Sequence, residues 1–197
     1  MKNALIYFRG YNWLSQERSG TFDRIEKMFG HYIECIMIEQ NVGDYLSTIE
    51  ETKKVIESHD QVFLIASSMG CIPALYFGFE LDTSVILINP GYFPEETLCK
   101  LLTVGEIDNL VRFKKVIEEK VQGEKINLLI SEDDEVVNPY KFMVKYKDNI
   151  RFIDRNPTGG HTYENLETKV NLLNNLLFGS LMDDDDAGQV CEDWNFI

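Results

Sequence analysis

Val62-Phe63-Leu64-Ile65-Ala66-Ser67-Ser68-Met69-Gly70 is the stretch on which the reading of this chain turns. An unbroken apolar run passes into small residues, and a helical pattern, Cys71–Phe79, follows at once. A strand that is apolar along its whole length belongs in a sheet covered on both faces. A strand that enters a helix through Ala-Ser-Ser-Met-Gly needs a sharp turn, and such a turn presents one serine hydroxyl at its tip. The residues two before and two after that serine must be small, because the turn is expected to bring their backbones together. Ser68 has Ala66 and Gly70 at those places, whereas Ser67 would have Ile65 and Met69. Ser68 is therefore the candidate nucleophile. Its place at a helix start also favours developing negative charge.

Working outward, short apolar runs recur at Ala4–Phe8, Tyr32–Ile38, Val85–Ile88, Ile126–Ile130 and Ile150–Ile153. Amphipathic segments separate them. Phe22, Ile25, Met28 and Phe29 share a helical face behind Ser19 and Thr21, either of which can cap. Asp44 opens a segment carrying Leu46, Ile49, Val55 and Ile56, and Leu166, Val170, Leu173 and Leu177 repeat at helical spacing. Strand and helix in alternation imply right-handed crossovers and a three-layer α/β/α sandwich around a mostly parallel sheet of about six strands. Residues 91–123 are longer than a simple crossover requires. They read either as a long crossover or as a small cap over the C-terminal edge of the sheet, where open α/β sheets bind ligands.

A serine hydroxyl reacts only when an imidazole takes its proton, and the imidazole needs an acid to fix its tautomer. The chain has three histidines. His31 and His59 each precede a strand and so fall at the edge opposite Ser68. His161, in Asn156-Pro157-Thr158-Gly159-Gly160-His161, follows the last expected strand and shares the edge of Ser68. The acid should follow the strand before that one, in Ser131-Glu132-Asp133-Asp134-Glu135-Val136-Val137. Asp134 is favoured because Val136-Val137 can anchor the loop beside it, with Asp133 as the fallback. The second requirement is an oxyanion hole. The N–H of Met69, directly after the serine, is one candidate donor. The turn after the first strand, Arg9-Gly10-Tyr11-Asn12-Trp13, offers the N–H of Tyr11 as the other. Gly10 lets that backbone approach a substrate, and Arg9, Gly10 and Trp13 are candidate substrate contacts.

Four pieces in this order resemble a small α/β-hydrolase, close in plan to the compact bacterial esterases of the YqiA type (the UPF0227 group). They are Arg9-Gly10-Tyr11-Asn12, Ala66-Ser-Ser-Met-Gly70, Asp134-Glu-Val-Val137 and Gly160-His161, spread over residues 3–178. The chain order Ser68, Asp134, His161 is also that of α/β-hydrolases. The resemblance implies esterase or thioesterase activity on small acyl substrates with no cofactor. Arg9 stands where the family usually has His, and Ala66 where the elbow usually has Gly. Arg9 adds a positive charge that would favour carboxylate- or phosphate-bearing substrates, unless it only forms a surface salt bridge. The rival expectation is the same fold without catalysis, a binding or regulatory protein using its pocket or its acidic end.

The formal net charge of −14 excludes a general nucleic-acid binder and disfavours anionic membranes. No apolar run approaches the roughly 20 residues of a membrane span, and Ala4–Phe8 is too short for a signal-peptide core. Cys35, Cys71, Cys99 and Cys191 lie far apart without a CxxC pair, which reads as reduced thiols in a cytoplasmic protein rather than a metal site. Residues 179–197 carry Asp183–Asp186, Glu192 and Asp193 with no Lys or Arg, a charge of −6. They are expected to form a mobile acidic tail, either simply solubilising or docking a protein partner through its Trp194-Asn-Phe-Ile197 end.

Overall fold

The computed structural model describes residues 2–11 and 19–179. Among them six strands form one sheet: β1 (Asn3–Phe8), β2 (Glu34–Ile38), β3 (Gln61–Ser67), β4 (Val85–Ile88), β5 (Ile126–Ser131) and β6 (Ile150–Asn156). Their spatial order is β2-β1-β3-β4-β5-β6, and every pairing is parallel. Every strand therefore ends at the same edge, and the segments leaving that edge can meet. This is the α/β-hydrolase fold.

Alternate residues of each central strand face opposite layers. Leu5 and Tyr7 of β1, with Ile65 of β3, pack under α1 (Gly20–Phe29) and α7 (Val170–Phe178), against Phe22, Ile25, Phe29, Leu173 and Leu177. Ile6, Phe8, Leu64 and Ala66 face the other layer, built from α2 (Tyr45–Glu57), α3 (Cys71–Glu80), α5 (Val104–Lys120) and α6 (Pro139–Lys145). Helix starts follow the capping residues. The Ser19 hydroxyl accepts from the Phe22 N–H, the Asp44 carboxylate from Ser47, and Thr103 and Glu106 form a reciprocal capping box.

Two strand ends differ from the apolar runs. β2 starts at Glu34, because the N–H groups of Tyr32 and Ile33 are taken by Phe29 O in the turn after α1. β6 runs on through Asp154, Arg155 and Asn156. It is an edge strand paired only with β5, so polar side chains can continue the ladder without burial. In residues 91–123, the four-residue helix α4 (Pro94–Thr97) precedes α5, which lies beside α3 and α2 in the same layer. Most of that length is thus a crossover helix, and only the α4 segment is additional.

Gly70 shows why the turn after β3 must be tight. Its φ of −59° suits any residue, so space alone restricts it. A methyl group there would lie 2.2 Å from Phe8 O and 2.8 Å from Arg9 O. The crowding comes from the end of the neighbouring strand β1 and not from Ala66, which corrects the reason expected for a small residue. Backbone cannot yield as a flexible side chain can. Gly70→Ala is expected to lower stability by about 1–3 kcal/mol, read as a lower midpoint in chemical denaturation.

Candidate active site

Ser68 sits at the tip of the turn between β3 and α3 with φ 49°, left-handed backbone that a serine rarely adopts. Gly10 leaves room for the turn on one side, where a methyl would lie 2.9 Å from Ser68 Cβ. Ser67, next in the chain, points elsewhere: its hydroxyl is bonded to the Tyr7 hydroxyl at 2.5 Å. Of the two serines in this turn, it is Ser68 whose hydroxyl reaches an imidazole.

That imidazole belongs to His161, whose Nε2 is 3.0 Å from Ser68 Oγ. Its Nδ1 is 2.9 Å from Asp134 Oδ2. Asp134 Oδ1 in turn accepts the N–H groups of Val136 at 2.8 Å and Val137 at 3.1 Å. Burial pushes the Asp134 carboxyl up, since its side chain is 1% exposed. The hydrogen bonds from His161 and Val137, the charge on the imidazole when protonated and the Val136 N–H outweigh that, and the net shift is down. A carboxylate can only accept. Nδ1 must therefore carry its proton, and the Nε2 of the neutral ring is left to accept from Ser68. Three side chains from the ends of β3, β5 and β6 thus form one hydrogen-bonded line, at distances from which a proton can be transferred.

Asp133, the fallback acid, does something else. Its carboxylate accepts the N–H of Gly160 at 2.9 Å and of Gly159 at 3.3 Å, in the loop that carries His161. Met69 is fully buried beside Ser68, at the start of the turn leading into α3. Tyr11 is half-buried and packs against the core, and Trp13 lies outside the described residues. Arg9 is buried, and its guanidinium donates to Glu39 Oε1 at 2.6 Å, so a carboxylate of the protein itself meets its charge. The acidic segment 180–197 also lies outside the described residues.

Two residues at this edge have no place in the sequence reading. Gly91 closes the site from the β4 side: a methyl there would lie 3.1 Å from Met69 N and 3.2 Å from Ser68 Oγ. Asn89, fully buried at φ 44°, bonds the end of β5 to the loop after β6. The available signal was Asn89-Pro90-Gly91 itself, turn-forming residues placed directly after an apolar strand at the ligand edge. A recess of about 340 Å³ adjoins Asp134, walled by Val136, Val137 and Pro139 and by Thr97 of the additional segment. Among the described residues no group of three or more His, Cys, Asp or Glu side chains could hold a metal ion, and no helix is long and apolar enough to cross a membrane.

The sequence matches UPF0227, described as an uncharacterised protein family, over residues 4–177. No curated protein matches it by sequence. Among solved structures it is similar to one reported for two metagenome-derived lipolytic enzymes, LipS and LipT, with a TM-score of 0.64, 11% identity and coverage of 87% of this chain and 91% of that one. Est1E from Butyrivibrio proteoclasticus follows with a TM-score of 0.61, 14% identity and coverage of 87% and 84%. Human thioesterase 2 is similar with a TM-score of 0.51 and 14% identity, over 93% of this chain and all of that one.

Proposed function

The chain belongs to the UPF0227 family, and we propose that it is a serine hydrolase cleaving acyl esters or thioesters of small molecules. The observation that carries this reading is the unbroken line from Ser68 Oγ through His161 to Asp134, with contacts of 3.0 and 2.9 Å. Solved structures with this fold include ones named lipolytic enzymes and a thioesterase, which agrees with acyl transfer as the reaction class.

In the proposed mechanism Ser68 Oγ forms a bond to the carbonyl carbon as its proton passes to His161 Nε2. Asp134 holds the ring in the required tautomer and stabilises the imidazolium. The carbonyl oxygen becomes an oxyanion facing the N–H of Met69 and that of Tyr11. When the intermediate collapses, the bond to the alkoxide or thiolate breaks, and the leaving group takes the proton from His161. Water, deprotonated by the same imidazole, then attacks the acyl carbon, the bond to Ser68 Oγ breaks, the carboxylic acid leaves, and Ser68 Oγ takes the proton back from His161. No step calls on a cofactor. Gly10 is assigned to the substrate wall and Arg9, paired with Glu39, to its edge.

Turnover of p-nitrophenyl acetate or butyrate by the purified protein tests the reaction class. Hydrolysis that disappears in His161→Ala supports it. Equal hydrolysis by parent and variant overturns it. Asp134, with its pKa held below the usual carboxylate range, is expected to stay ionised at neutral and mildly acidic pH and so to add no limb of its own to the profile of kcat/KM there, which a pH series with a neutral ester checks.

A further inference from the structure

The loop that carries His161 has little ladder bonding to fix it, yet the imidazole must stay on line with both Ser68 and Asp134. Side chains from other elements grip its backbone instead. Asn89 Nδ2 donates to His161 O at 3.0 Å and to Gly160 O at 2.9 Å, the latter also receiving the Tyr163 N–H at 3.3 Å. Asn89 Oδ1 accepts the Ser131 N–H at 2.7 Å, and Asn89 N donates to Leu129 O, which fixes the amide to the end of β5. The same Nδ2 is 3.4 Å from Ser131 Oγ. Asp133 takes the N–H groups of Gly159 and Gly160 from the other side. Arg24 of α1 donates to the carbonyls of Thr162, Tyr163 and Glu164 just beyond.

We infer that Asn89 is a positioning residue for the general base: its amide ties the His161 peptide to the end of β5, and so sets the imidazole against Ser68 and Asp134. This inference rests on the hydrolase reading above. Asn89 is the member of the clamp whose amide bonds the carbonyl of His161 itself. It is fully buried, so water does not compete for those bonds. It also occupies left-handed backbone, φ 44°, a conformation that asparagine tolerates better than most residues. An apolar residue of similar size would leave the carbonyls of residues 160 and 161 without these donors at the point where an ångström matters.

The test uses Asn89→Gly, because glycine adopts the same φ without strain and only the amide is lost. A misplacement of about 1 Å costs on the order of 10²-fold in rate. The expected result is a fall of that size in kcat with little change in KM, and an equal fall in the rate of inactivation by a fluorophosphonate. Asn127→Ala is the control: this buried asparagine of β5 bonds Val85 O, away from the loop, and should lower thermal stability without moving kcat.

Asn89→Asp provides a second reading should the glycine variant fail to fold. It keeps the acceptor for Ser131 but sets an oxygen against two carbonyls whenever ionised. Activity should then fall with rising pH in a limb that the parent lacks. An Asn89→Gly enzyme with unchanged kcat overturns the inference, as does an Asn89→Asp profile that matches the parent. A parent protein that neither turns over esters nor is labelled on Ser68 overturns the hydrolase reading instead, so the two failures are told apart.

Discussion

Replacing Ser68 with alanine is expected to lower kcat for an activated ester by about a millionfold, on the scale of triad nucleophiles elsewhere. The fold should survive. Alanine lacks only the hydroxyl and keeps the Cβ, so it fits the space beside Gly10 and Gly91 that the serine occupies at φ 49°. Unchanged circular dichroism together with lost turnover is therefore the predicted pair of results. Ser67→Ala is the matching control. Its hydroxyl is bonded to Tyr7 on the opposite side of β3, so it should cost stability through that bond, on the order of 1 kcal/mol, and leave kcat within a few-fold.

The second large effect concerns the acid. Asp134→Asn keeps the size and one acceptor oxygen but can turn an NH₂ toward His161 Nδ1. The ring then carries its proton on Nε2 and can no longer accept from Ser68. A loss of about 10⁴-fold in kcat is expected, the scale seen when a triad acid is made neutral. Asp133→Asn should cost far less, because Asp133 bonds loop N–H groups and not the ring. Steady-state kinetics on the two variants side by side checks the assignment, and the reverse order of severity would contradict it. The lowered pKa of Asp134 has a stability counterpart. A carboxyl with a depressed folded pKa contributes stability above its unfolded value, about 3.9, and loses it as pH falls through the folded value. The parent should therefore lose more stability on acidification than Asp134→Asn does.

Much of this was legible in the sequence, and the reason is topological. In an all-parallel sheet every strand ends at one edge, so Ser68, Asp134 and His161 could be grouped by noting that each follows an apolar run. His31 and His59 could be set aside because each precedes one. The choice of Ser68 over Ser67 followed from the small flanks, although the crowding that demands Gly70 comes from Phe8 and Arg9 on the neighbouring strand. No local pattern could reveal a contact between residues so far apart in the chain.

Other features were out of reach for related reasons. The polar end of β6, Asp154–Asn156, is strand only because β5 supplies a ladder. Arg9 could be placed beside the turn but not paired with Glu39, which depends on how β1 and β2 align. Asn89 and Gly91 matter for what they allow nearby backbone to do. An amide that ties two carbonyls of the loop after β6 to the end of β5 leaves no periodicity in the sequence, and Asn89-Pro90-Gly91 reads simply as the start of the long connection.

A hydroxyl made nucleophilic by its neighbours, as Ser68 is by His161 and Asp134, reacts directly with a fluorophosphonate probe. Intact-mass measurement of the purified protein after brief exposure should find a single adduct, mapped by fragmentation to Ser68. It should be absent from Ser68→Ala and should form far more slowly on His161→Ala. An adduct that forms on Ser68→Ala at the parent's rate would contradict the account.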